Sequence, residues 1–119
     1  MKQFKQLQVK TVEHDYPSRL KLTTIKYANV TVFVSTVDLA IRRKESENLR
    51  LLDRIFGYTH RYETGIWYET TSTRSLVVVV ETYNTSDEAL SGHKKWVDKV
   101  LHGTKEFKDI TELFSIKLP

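Results

Sequence analysis

Residues 76–80, Leu-Val-Val-Val-Val, are the longest apolar run in this chain of 119 residues. Five residues are too few to cross a bilayer, which takes about 18 or more. They are also apolar at every position, so both faces of the segment call for cover. The run predicts a central β-strand spanning residues 75–83, paired on both sides or placed at a subunit interface. Left open, such a segment would be an aggregation hazard.

Period-two patterning surrounds it. Leu7, Val9 and Thr11 alternate with Gln6, Gln8 and Lys10. Leu20, Leu22 and Thr24 alternate with Arg19, Lys21 and Thr23, and Val30, Val32, Val34 and Thr36 alternate with Thr31, Phe33 and Ser35. Tyr62, Thr64, Ile66 and Tyr68 share one face opposite Glu63, Gly65, Trp67 and Glu69. Alternation enriched in β-branched residues marks half-buried strands. Tyr27-Ala28-Asn29 reads as a tight connection, with Asn29 suited to an unusual φ. The tail, Phe114 to Leu118, alternates again and predicts a last strand.

Two segments read as helix. Over Glu45–Phe56, Leu49, Leu52 and Phe56 recur at helical spacing and Gly57 is a natural stop. The clearer one follows Thr85-Ser86-Asp87-Glu88, a capping box whose acidic residues sit at the positive end of the helix dipole. Ala89, Leu90, His93, Trp96, Val97, Val100 and Leu101 form its apolar stripe, and Gly103 ends it. The expected fold is α+β over residues 1–119 as a single domain. An antiparallel or mixed sheet, including residues 19–25, 30–36, 62–70 and 75–83, carries the main C-terminal helix on one face. A shorter central helix accompanies it.

The chemistry-bearing residue types are sparse. There is no cysteine, which removes disulfides, thiolate metal sites and cysteine nucleophiles together. The four histidines, His14, His60, His93 and His102, lack the i, i+3 or i+4 spacing of metal ligands on a helix. Four scattered glycines cannot build a phosphate loop or a nucleophile elbow. Glu63 and Glu69 lie about 20 Å apart along an extended strand, too far for shared acid–base work. Glu81 could face either across a hairpin, where solvated sheet carboxylates are the commoner case. The residues predict no enzyme, no metal and no cofactor. No apolar segment suits a signal peptide behind Met1-Lys2-Gln3-Phe4-Lys5-Gln6, and none suits a membrane span.

Two kinds of contact residue remain. Gly92 inside a helix costs up to about 1 kcal/mol relative to alanine, which suggests close approach of other atoms there. Either Gly92 and His93 form a contact site, or the helix packs tightly on its own sheet with His93 hydrogen-bonded at the edge. Aromatic and apolar residues at Trp67, Tyr68, Val77, Val79, Phe114 and Ile116 are further candidates for protein contact, as interfaces favour such side chains. The net charge of +4 allows a nucleic-acid reading through Arg42, Arg43, Lys44, Lys94 and Lys95. Glu45, Glu47 and Asp53 dilute that cluster, and Trp96 belongs to the buried stripe rather than to a stacking surface.

The run from Glu81 through Tyr83, Thr85, Glu88-Ala89 and Gly92-His93 to Val97 resembles a pattern in small tailed-bacteriophage proteins. In these an aromatic and a threonine precede an acidic helix start, followed by Glu-Ala and then Gly-His. The family's upstream Glu-Thr has counterparts in Glu63-Thr64 and Glu69-Thr70, although neither is followed by its Phe-Gly-Gly. The resemblance implies phage origin and supplies no catalytic residues. With it, the expected role is a non-enzymatic virion structural or assembly accessory protein of head, neck or tail. Its partners would be other phage structural proteins or further copies of itself, and it would be made in the host bacterial cytoplasm. The alternative is an intracellular phage accessory protein that binds nucleic acid, a nucleotide or a host factor.

Overall fold

The computed structural model describes residues 7–13, 18–41 and 60–119. Alternation along the chain becomes five antiparallel strands: β1 (Gln8–Glu13), β2 (Arg19–Tyr27), β3 (Val30–Asp38), β4 (Tyr62–Glu69) and β5 (Val78–Tyr83). They lie side by side in chain order as one sheet. The helix α1 (Ser86–Leu101) follows and crosses β2 to β5 on one face. Two short strands, β6 (Glu106–Lys108) and β7 (Ser115–Lys117), form a separate hairpin. The fold is α+β, with the expected antiparallel sheet and helix. The tail strand pairs with β6 and not with the main sheet.

Residues 39–41 are helical. The helix expected over Glu45–Phe56 lies outside the described residues, as do Arg42, Arg43 and Lys44. At the start of β4, Arg61 grips the buried Asp38 carboxylate through Nε (3.1 Å) and Nη2 (3.0 Å). Two parallel N–H···O bonds of this kind fix direction as well as distance. In the β2–β3 turn it is Ala28 that takes a positive φ, 53°, and not Asn29.

The face under α1 holds the core. Ile25, Val32, Val34, Ile66 and Val78 are fully buried there, joined by Val100 from α1 and by Phe107, Ile116 and Leu118 from the C-terminal segment. Each such side chain contributes about 1.5–3 kcal/mol of transfer free energy. Thr85 caps α1 in an extended conformation, and its hydroxyl oxygen accepts from the Glu88 amide. The buried stripe is Ala89, Gly92, His93 and Val100, flanked by half-buried Trp96, Val97 and Leu101. Leu90 falls outside it and is exposed. Consecutive residues are 100° apart on a helix, and Ala89 already occupies the inward direction.

The 76–80 run departs most from expectation. β5 is an edge strand and begins only at Val78. The Ser75 amide donates to the Tyr68 carbonyl, while Val78 stands opposite Ile66. Trp67 therefore faces two residues, Leu76 and Val77, which bulge out of the ladder. A second register shift follows at Thr64/Gly65. Bulges re-aim side chains at sheet edges, and here Leu76 is left 68% exposed. The outer edge of β5 is closed by a loop instead of a strand. The Val79 amide donates to Asp109 Oδ1 (2.9 Å), and the Ile110 amide donates to the Val79 carbonyl (2.8 Å). That removes part of the unpaired edge on which another chain could template.

Candidate protein-contact surface

Gly92 and His93 are used inside the fold. A Cβ at Gly92 would collide with Cε1, Cζ and the hydroxyl of Tyr83, so glycine is what lets α1 settle on β5. His93, 2% exposed, is held at both ring nitrogens: Nε2 against Thr23 Oγ1 (2.8 Å) and Nδ1 against Thr36 Oγ1 (2.7 Å). From there the bonds run on in both directions. Thr23 meets Thr11 (2.9 Å) on β1. Thr36 meets Thr64 (2.6 Å), and Thr64 meets the Tyr83 hydroxyl (3.0 Å). Tyr83 donates to Glu81 Oε1 (3.2 Å), which also accepts from Trp96 Nε1 (2.8 Å) and Lys95 Nζ (2.6 Å).

This chain of hydrogen bonds ties all five strands of the sheet to α1. Buried polar groups joined in this way fix a single packing arrangement. Burial, with the Lys21 charge adding to it, pushes the His93 imidazole down to about 4. Burial pushes the Tyr83 phenol up to about 12. Burial works to raise the Glu81 carboxyl, but the hydrogen bonds from Lys95 and Trp96, together with the Lys95 charge, outweigh it and hold the group below its ordinary value. An imidazole with both nitrogens committed has no lone pair or proton to offer a substrate. A phenol raised to about 12 is a poor nucleophile at neutral pH. The segment from Tyr83 to His93 is likewise absorbed by the fold, since Tyr83, Thr85, Glu88, Ala89, Gly92 and His93 each cap, clear or anchor α1.

Tyr68 also faces the core beneath α1, and Ile116 is buried in it. Gly92, His93 and Ile116 have their surfaces taken up within the chain, whereas Tyr68 is half-buried against the core. Trp67 lies on the opposite face of the sheet. Its ring stacks on that of Phe33, its cross-strand neighbour, with centroids 4.9 Å apart and planes 7° from parallel. Val79 is half-buried on this open face, and Val77 is exposed beside it.

Phe114, Val77 and three residues that sequence reasoning missed gather around the edge of β5. The segment from Asp109 to Phe114 links β6 and β7 and is tightly organised. Asp109 is buried, and its Oδ2 accepts from the Thr111 amide (3.0 Å) and hydroxyl (2.6 Å) while its Oδ1 holds Val79. The Asp109 amide donates to the Phe114 carbonyl, and the Glu112 amide donates to the Asp109 carbonyl. Burial works to raise the Asp109 carboxyl, and the bonds from Thr111 and Val79 outweigh it, holding the group below its ordinary value. Glu112 is bent to φ 61°, a left-handed conformation costly outside glycine.

Beside the exposed Thr111 and Glu112, this braced loop displays apolar side chains. Leu113 is 86% exposed, and Ile110 and Phe114 are exposed on either side. With Leu76 and Val77 they make five of the seven large hydrophobic side chains exposed among the described residues. Scattered apolar residues on a surface need no explanation, whereas a concentration on two elements fastened together does. Beside it the open sheet face dips into a cleft of about 310 Å³, bounded by Val37, Gly65, Trp67, Arg74, Val77 and Val79 among others.

Lys94 and Lys95, the described residues of the nucleic-acid alternative, lie on the exposed side of α1. Lys95 is paired with Glu81, and Lys95 and Lys99 both approach the Trp96 ring. Among the described residues no group of three His, Asp or Glu side chains is placed to hold a metal ion. No helix among them is long and apolar enough to cross a membrane. Comparisons with protein-family models, with curated proteins and with solved structures find no match for this chain.

Proposed function

We propose that this chain is a non-enzymatic accessory component of a bacteriophage particle, in the head, neck or tail, working through protein–protein contacts. The observation that carries the contact role is the apolar display at the β5 edge. A loop held by a buried aspartate, with one residue in left-handed backbone, exposes Ile110, Leu113 and Phe114 next to Leu76 and Val77. An isolated domain gains nothing by bracing hydrophobic side chains toward water. A partner gains a pre-organised anchor, which lowers the ordering cost of association. The phage setting rests on the sequence pattern from Glu81 to Val97.

Mass spectrometry of purified particles tests this reading. The chain is expected in stoichiometric amount. Its absence from particles, with abundance in the infected cytoplasm, would reject the virion role in favour of an intracellular binding protein. That second reading draws on one specific feature, the exposed Lys94, Lys95 and Lys99 ridge around Trp96. Nucleic-acid binding through it would weaken steeply with salt. A gel-shift series showing no complex at low salt with micromolar protein would remove it.

A further inference from the structure

The contact reading becomes more specific when the loop and the cleft are considered together. We infer that the partner of this surface is a second copy of the same chain, with the Glu112–Leu113–Phe114 tip of each copy seated in the open-face cleft of the other. The inference rests on the contact role proposed above.

Three observations point to a self-complementary pair. First, knob and hollow are neighbours. Val79 lines the cleft on the open face, and its backbone holds the loop through Asp109 and Ile110. A patch bearing both halves of a contact side by side can pair with itself across a two-fold axis, and such an isologous contact closes at two copies. Second, the chemistry matches. The tip carries one acid, Glu112, followed by two apolar side chains. The cleft sets Val37, Trp67, Val77 and Val79 beside the polar Ser18, Arg19, Ser35 and Glu63, and Arg74 also lines it. Arg74 is largely exposed, and its contact with Glu69 is a long 3.7 Å, so its guanidinium has donors to spare for a second carboxylate. Third, the tip does not use the cleft of its own chain, since Leu113 stands 86% exposed. Val77 packs directly over Gly65 on this face, where a Cβ would meet Val77 Cγ1 at 3.1 Å.

The test is sedimentation velocity of the full chain over a concentration series from low to high micromolar. The wild type is expected to show a monomer–dimer equilibrium. Leu113→Asp and Arg74→Glu are each expected to raise the dissociation constant about tenfold or more, as loss of an interface anchor does. Both positions are exposed, so unchanged circular dichroism and urea midpoints should accompany the loss. Glu112→Arg combined with Arg74→Glu is expected to restore most of the affinity lost by either alone. In a Trp96→Phe background, Trp67 is the single remaining tryptophan, and its emission should shift on dimerisation. A chain that stays monomeric throughout the series, or a dimer indifferent to Leu113→Asp, would overturn the inference. A monomer that is nevertheless found in particles would leave the virion role standing with a different partner. A dimer absent from particles would do the reverse.

Discussion

Gly92→Ala is expected to destabilise the fold by about 2–3 kcal/mol, the scale of an overpacked core. In an ordinary helix interior the same change stabilises by up to about 1 kcal/mol, because alanine is the better helix former. The reversal of sign comes from Tyr83, whose ring occupies the space a Cβ would need. Displacing that ring also strains its bonds to Thr64 and Glu81, and with them the path from Thr64 through Thr36 to His93. A urea titration reads this directly. A midpoint equal to or above that of the wild type would show that α1 does not sit against Tyr83 as described.

Acid should weaken the fold through the buried His93. The His93 imidazole titrates near 4 in the folded chain against 6.5 in a solvated one. Its neutral form is therefore the one the fold selects, and the folded state binds fewer protons between those values. The associated stability is complete above pH 6.5 and is lost as pH falls toward 4, a change of about 3 kcal/mol. Asp109 and Glu81 are both held below their ordinary carboxyl values by their hydrogen bonds. Over the interval from pH 6.5 to 4.5, comparison with His93→Gln isolates this one imidazole among the chain's four histidines. Urea midpoints for the wild type are expected to fall across it, while those of His93→Gln stay nearly flat. Equal slopes for the two proteins would show that His93 is free to charge in the folded state.

Alternating positions were legible in the sequence because burial on one sheet face imposes a period of two. Thr85, Asp87 and Glu88 announced the helix start for an equally local reason. Pairing register is not local, and that is where reading failed. Val78 to Val80 enter a strand as expected, but a bulge turns Leu76 and Val77 to solvent, and the identical chemistry of five apolar residues gives no sign of which ones will pair. Thr23, Thr36 and Thr64 looked like ordinary β-branched strand residues. Their role as hydrogen-bond partners around one imidazole appears only when three strands and a helix are assembled. Likewise, nothing near Thr111-Glu112-Leu113 foretells display, because the brace comes from Asp109 reaching Val79, 30 positions away. Of the contact candidates, Val77 and Phe114 are exposed on the surface. Gly92 and His93 were singled out for a real constraint that turned out to be internal.

The contact role is tested most directly by side-chain footprinting with hydroxyl radicals, comparing the isolated chain at dilution with the same chain in purified phage particles. Leu76, Ile110, Leu113 and Phe114 are expected to label strongly in the dilute chain and to be protected in particles, while exposed Leu90 on α1 labels alike in both. Equal labelling of the β5-edge residues in the two states would contradict a contact role for this surface.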